Sequence, residues 1–300
     1  MKQCFFILNP KSGNEKGAEI EDAVLSKLEE NFDFVTIKTT NGAGDATEYA
    51  RYAAKNRYDC ICSYGGDGTL NEILQGLRDF PDPPALAILP GGTGNLLSQM
   101  FQIPQDKKTA IANMDFSRTI STDLGVTGDH VFSLFLSIGA IPEAIHGVSP
   151  EEKTEHGMLA YVKETFRRLR KPKTYNLRIT TENETFEGKV DHMIISLTNS
   201  ISFLKYSSRN EAMDNGYASI FILQSSSFFK KIGVAGKALV GKVEEDKNIR
   251  YIKARHIRIE SMDEDVETDL DGERGPALPL DVEILQGKIA VFLPKNYKEA

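Results

Sequence analysis

The run Tyr64-Gly65-Gly66-Asp67-Gly68-Thr69-Leu70-Asn71-Glu72 sets three glycines around one carboxylate. Such a loop suits a backbone that comes close to an anion. Glycine presents bare N–H groups and tolerates φ > 0, and a following helix start adds partial positive charge. A carboxylate beside phosphates makes sense when Mg²⁺ sits between them, because hard cations take oxygen ligands. Taken alone, the run also fits a Gly-rich turn with an acid near a helix start. Two further loops shift the balance toward phosphate chemistry: Pro90-Gly91-Gly92-Thr93-Gly94-Asn95, and Asn9-Pro10-Lys11-Ser12-Gly13-Asn14.

Each loop follows a short apolar run and leads toward a helical pattern. The runs are Cys4-Phe5-Phe6-Ile7-Leu8, the stretch 58–63 and Leu86-Ala87-Ile88-Leu89. Between them, 16–30 carries Ile20, Val24, Leu25 and Leu28 at helical spacing, 32–39 reads as a strand, and Asp45 caps a helix through 56. This β-α-β-α-β order predicts a parallel sheet with helices on both faces, and loops at the carboxyl ends of its strands converge where ligands bind. From 125 onward the pattern changes to short β-rich segments at 131–138, 174–180, 185–191, 193–198, 217–223, 249–254, 256–260 and 282–285. Helical patches interrupt at 155–171 and 227–242, and 260–267 reads as an acidic, solvated loop. The expected organisation is an α/β nucleotide-binding domain over 1–124 and a β-sandwich second domain over 125–290. A tail over 291–300 would return to the first domain.

These residues resemble the diacylglycerol kinase catalytic family. The match runs through Asn9-Pro10 with Ser12-Gly13, then Gly65-Gly66-Asp67-Gly68-Thr69, Pro90-Gly91-Gly92-Thr93-Gly94-Asn95 and Asp271-Gly272-Glu273, in order over the whole chain. The chain is most similar to the soluble bacterial lipid kinases, with sphingosine and ceramide kinases as relatives and a nucleotide domain like that of NAD kinases. The resemblance implies an active site between two domains, ATP and Mg²⁺ as cofactors, and transfer to a lipid hydroxyl, diacylglycerol first. Asn9, Pro10, Lys11, Ser12 and Gly13 match the first nucleotide loop, and Thr40 matches a threonine that approaches the nucleotide. Gly65, Gly66, Asp67, Gly68, Thr69, Leu70 and Asn71 match the phosphate cradle; Gly92 and Thr93 match the second glycine loop. Asp67 is implied as the Mg²⁺-linked carboxylate, with Glu72 as a second acidic candidate whose alternative is to complement a helix dipole. Asp271 is implied as general base for the acceptor hydroxyl, supported by Glu273. Rival expectations are a sphingoid or other lipid kinase, an NAD kinase and a non-catalytic nucleotide-binding regulator.

Composition narrows the class. The 300 residues carry a formal charge of −7, which argues against a general nucleic-acid binder. No apolar run approaches the roughly 20 residues that span a bilayer, and the run after Met1-Lys2-Gln3 is too short for a signal-peptide core. Cys60 and Cys62 read as buried small hydrophobes in a reducing compartment rather than as a metal pair. The expectation is a cytoplasmic enzyme of phospholipid metabolism that meets its lipid at a membrane surface, with a homodimer left open.

The chain departs from the family pattern in three places. Leu96 stands where an aspartate is common, the segment 199–209 lacks a glycine cluster and proline, and the usual Asp-Asp-Gly turn is Asp214-Asn215-Gly216. In bacterial relatives that turn holds a structural Mg²⁺, so Asn215 is the weaker ligand in its place. Two basic segments with apolar neighbours suit an anionic bilayer: Phe228 and Phe229 with Lys230, Lys231, Lys237 and Lys242, and the run 167–173.

Overall fold

The computed structural model describes residues 1–12, 17–139, 173–198, 200–201, 204–205, 212–224, 246, 248–262 and 265–298. Gly13, the helical patches at 155–171 and 227–242, the Phe228–Lys242 basic segment, most of the 167–173 run and most of 199–209 lie outside the described residues. By density of internal contacts the chain parts into two units. One comprises 1–124, 213–215 and 285–300; the other comprises 125–212 and 216–284.

The first unit alternates strand and helix. In order come β1 (Gln3–Leu8), α1 (Gly17–Glu29), β2 (Phe34–Thr39), α2 (Asp45–Lys55), β3 (Cys60–Gly65), α3 (Asp67–Leu77), β4 (Ala85–Pro90), α4 (Leu96–Met100) and α5 (Lys107–Asn113). β2, β1, β3 and β4 lie side by side, each pair parallel. The central strands are continuous apolar runs because both faces of a parallel sheet are covered; every residue of β3 is buried. Cys4, Cys60 and Cys62 are buried, free thiols within this sheet. The helices supply the cover: α2 packs on α3, and α1 on α5. Gly76 allows the first of these crossings, since a Cβ there would meet the Thr47 carbonyl oxygen at 2.5 Å. On α1, Ile20, Val24 and Leu28 are buried; each such side chain contributes roughly 1.5–3 kcal/mol over an exposed one.

The second unit is antiparallel. Its strands are β5 (Thr119–Thr127), which begins in the first unit, β6 (His130–Phe132), β7 (Phe135–Gly139), β8 (Tyr175–Thr181) and β9 (Thr185–Ser196). There follow β10 (Ser200–Ile201), β11 (Leu204–Lys205), β12 (Ala218–Gln224), β13 (Ile249–Ala254), β14 (His256–Ser261), β15 (Glu267–Leu270), β16 (Glu273–Ala277) and β17 (Leu280–Phe292). β9 carries the arrangement: β8 pairs with its first half, while β7 and β12 pair with its second half. Burial alternates along β8 and β14, the mark of strands with one face on a core. One cluster including Leu136, Leu177, Ile195, Ile220, Ile252 and Ile257 forms that core. The last part of β17 belongs to the first unit, where Val291 pairs in parallel with Leu86 of β4. No helix among the described residues is long and apolar enough to cross a membrane.

Candidate functional site

Three loops leave the carboxyl ends of β1, β3 and β4 and are stitched together by backbone. The Asn9 N–H donates to the Tyr64 carbonyl at 2.9 Å, and the Gly91 N–H to the Gly65 carbonyl at 2.8 Å. Beyond those bonds the chains touch without side chains between them. A Cβ on Gly66 would lie 3.1 Å from the Gly92 Cα, and one on Gly92 would lie 2.7 Å from the Gly66 Cα. A Cβ on Gly91 would sit 3.0 Å from that of Ser12, which brings in the first loop. The glycines therefore serve close approach. Left-handed backbone, the reason their sequence invites, is not used here: Gly66 has φ −91°, and Gly68 lies within the first turn of α3.

Side chains complete the stitching. The Asn9 amide donates to the Thr69 hydroxyl at 2.9 Å, and its oxygen accepts the Lys11 N–H at 3.1 Å. The Tyr64 hydroxyl donates to the Ser12 carbonyl at 3.1 Å, and the Lys107 ammonium lies 5.6 Å from the Tyr64 ring centre. Asn95 takes the left-handed position before α4, with φ 49°. Its side chain clasps both backbone groups of Gly92, each at 2.8 Å, and reaches Gln105 at 3.1 Å. That link to Gln105 had no signal in the sequence. Thr40 is buried, its N–H donating to the Leu8 carbonyl at 2.8 Å. Pro10, Lys11 and Thr93 are exposed.

Asp67 is the first residue of α3, and its Oδ1 accepts the Leu96 N–H at 2.7 Å. A main-chain donor thus meets Asp67 at the position where the family commonly has a second aspartate. A Cβ on Gly94 would lie 2.7 Å from Asp67 Oδ2, so only glycine fits against that oxygen. Leu70 and Glu72 are placed otherwise. The Leu70 side chain is buried in the core and its N–H is spent on the Gly66 carbonyl at 3.1 Å. Glu72 Oε2 accepts the Ala46 N–H of α2 at 3.2 Å, and its carbonyl accepts the Thr47 hydroxyl at 2.9 Å. A carboxylate at a helix start complements the dipole of that helix; the helix served is α2, not α3. Glu72→Gln is therefore expected to lower stability by about 0.3–1 kcal/mol and to leave ATP affinity unchanged, which thermal melts and calorimetry would check.

In the second unit, Asp271 and Gly272 form the two-residue turn between β15 and β16, with φ 54° and 94°. Hairpin turns with two positive φ values match the twist of the strands they join. The Asp271 carboxylate collects four donors. Oδ2 accepts the Ser133 N–H at 2.6 Å and the Ser133 hydroxyl at 3.0 Å; Oδ1 accepts the N–H groups of Leu134 at 2.9 Å and Phe135 at 2.8 Å. Successive backbone N–H groups pointing inward make an anion nest. They also explain why the expected single strand 131–138 is broken into β6 and β7 between 132 and 135. Burial pushes the Asp271 carboxyl above its ordinary range, while the donors from Ser133, Phe135 and Leu134 pull it down. Glu273 is exposed at the start of β16.

The turn at 213–215 is closed by protein donors. The Asp123 N–H donates to the Met213 carbonyl at 2.8 Å, and Gln286 Nε2 to the Asp214 carbonyl at 3.1 Å. Asp123 Oδ1 accepts the Gly287 N–H at 2.7 Å. Asn215 is half-buried beside them, and no group of three acidic, His or Cys side chains among the described residues could hold a metal.

The model of the diacylglycerol kinase catalytic domain matches residues 3–127. A Streptococcus pneumoniae protein named as a candidate lipid kinase is 39% identical over 97% of this chain and 98% of its own. A diacylglycerol kinase of Bacillus subtilis is 30% identical over 100% of this chain and 99% of its own. The crystal structure of a diacylglycerol kinase from Bacillus anthracis superposes with a TM-score of 0.82 at 28% identity, covering 97% of both chains. Similarity that runs the full length at this identity settles the ancestry: the chain belongs to the diacylglycerol kinase catalytic family, and it is a lipid kinase.

Proposed function

We propose that the chain transfers the γ-phosphate of ATP, with Mg²⁺, to the free hydroxyl of diacylglycerol at a membrane surface. The observation that carries the donor half is the bare backbone approach of Gly66 to Gly92 beside the start of α3. Such a cradle offers N–H groups and the positive end of a helix to phosphate oxygens. Support for the acceptor comes from the relatives named diacylglycerol kinase over nearly the whole chain.

The roles follow from the chemistry of each group. Phosphoryl transfer passes through a loose transition state, so the protein chiefly positions and neutralises charge. The loops of Asn9–Ser12 and Gly65–Thr69, with Gly92 and Thr93, hold the donor. Asp67 would hold Mg²⁺ jointly with phosphate oxygens. When bound, the cation neutralises the charge that builds on the transferring group. Asp271 orients the acceptor hydroxyl and takes its proton late. Three of its four donors are fixed main-chain groups, and only the Ser133 hydroxyl turns about a single bond. An incoming hydroxyl replaces that one donor without disturbing the nest. Diacylglycerol is too apolar to dissolve freely, so the enzyme works as a peripheral protein on the cytoplasmic face of a bilayer.

An acceptor panel at fixed ATP tests this reading. Diacylglycerol is expected to give the highest kcat/KM, a sphingoid base a lower one, and NAD none. Preferential phosphorylation of NAD, or ATP binding with transfer to no lipid, would overturn it.

A further inference from the structure

Asp269 has no role in the account above, and nothing in the family motif singles it out. It lies two residues before Asp271 on β15 and is fully buried. Its Oδ1 accepts the Gly272 N–H at 2.8 Å. That bond spans the turn from its first strand, across Leu270 and Asp271. Asp271 holds φ 54° and Gly272 φ 94°, the paired left-handed backbone that an Asp-Gly hairpin turn adopts, and the bond from Asp269 ties that turn to its own strand. Its neighbour Leu270 is buried in the core cluster. Directly across on β7, Ser137 is also fully buried, and its hydroxyl has no hydrogen-bond partner among the described residues. A carboxyl and a hydroxyl set into a strand pair this dry are costly to bury.

We propose that Asp269 is a positioning residue for phosphoryl transfer: its buried carboxyl grips the Gly272 N–H and so fixes the turn that presents Asp271. The inference rests on the reading of Asp271 as the group at the acceptor hydroxyl. The surroundings of Asp269 add a signature. Asp271 and Glu273 face it from the turn and from β16. Arg274, opposite on β16, keeps its side chain exposed beside Glu267. β7 contributes the uncharged Leu136 and Ser137. Burial first, then the two nearby acids, push the Asp269 carboxyl up to about 7, against the pull of the Gly272 N–H. A carboxyl raised in the folded state keeps its proton there while the unfolded chain has lost it. Its contribution to stability is therefore present below about pH 4, the ordinary carboxylate range, and is lost as pH rises through about 7.

The test compares Asp269→Ala, Asp269→Asn and Asp271→Asn between pH 5.5 and 8.5, with kcat, KM for ATP and melting temperature read for each. Asp269→Ala is expected to lower kcat by about 10-fold to 10²-fold, the cost of a small misplacement of a reacting group, with KM for ATP unchanged. Asp269→Asn keeps the acceptor oxygen and is expected within about threefold of wild type, since a neutral hydrogen bond remains. The Asn variant should also lose an ionisation near pH 7 from the kcat profile, and its melting temperature should exceed wild type increasingly from pH 5.5 to 7.5. Wild-type kcat in Asp269→Ala would overturn the inference. So would an Asn variant as impaired as Ala with the pH step intact; if Asp269→Ala does not fold, that Asn profile decides. A fully active Asp271→Asn would instead remove the underlying reading of Asp271.

Discussion

Gly66→Val is expected to abolish measurable ATP binding. Its Cβ would lie 3.1 Å from the Gly92 Cα, and the two γ-methyls of valine would reach further into the second loop. What it meets is backbone, which cannot swing aside as a side chain can. Either the second loop moves away, or α3 starts elsewhere and the Asp67 bond to Leu96 N–H at 2.7 Å is lost. Both outcomes dismantle the cradle. Gly92→Ala presses on the same contact from the other side, at 2.7 Å from the Gly66 Cα, and should act alike. The loops lie at the ends of their strands, so overpacking should cost the fold about 1–3 kcal/mol and leave the sheet in place. Calorimetric titration with ATP, beside circular dichroism, is the measurement. Wild-type affinity in both folded variants would make these loops structural.

Asp271→Asn is expected to lower kcat by about 10²-fold or more, the range of general acid–base groups, with ATP affinity retained. The amide also fits the nest badly. The carboxylate meets donors on both oxygens, from Ser133 on one side and from Leu134 and Phe135 on the other. An NH₂ in either place faces N–H groups, and each orphaned donor costs about 1–3 kcal/mol. A lowered melting temperature should therefore accompany the loss of turnover, and kinetics belong well below it. Unchanged turnover would take Asp271 out of the mechanism; loss of ATP binding would move it to the nucleotide site.

The nucleotide half of the fold was legible because its signals are local. Glycine, proline and asparagine punctuate three apolar runs, and strands covered on both faces show as unbroken hydrophobic sequence. Close backbone approach was legible in the glycines; that one loop presses on the other was not. Composition invites left-handed backbone, whereas Gly66 at φ −91° is there for want of space. What escaped was non-local. The break after Phe132 is made by Asp271, 138 residues on from Ser133. Glu72 has its partner on α2, so position on its own helix gave no hint of the helix it serves. The hairpin of β15 and β16 is short and rich in acids, a composition that reads as a solvated turn, and only pairing with β7 makes it a buried strand. The extent of β17 was likewise hidden, because Gln286-Gly287-Lys288 looks like its end.

The central claim is a division of labour within one transfer: glycine loops for the donor, the Asp271 turn for the acceptor. Incubation with γ-labelled ATP, Mg²⁺ and vesicles containing diacylglycerol tests it most directly, run in parallel on wild type, Gly66→Val and Asp271→Asn. Wild type should place the label in phosphatidic acid in step with ADP formed. Both variants should yield almost none, and Asp271→Asn alone should still bind ATP. Label recovered from wild type only as inorganic phosphate or in NADP, with none in lipid, would contradict the account.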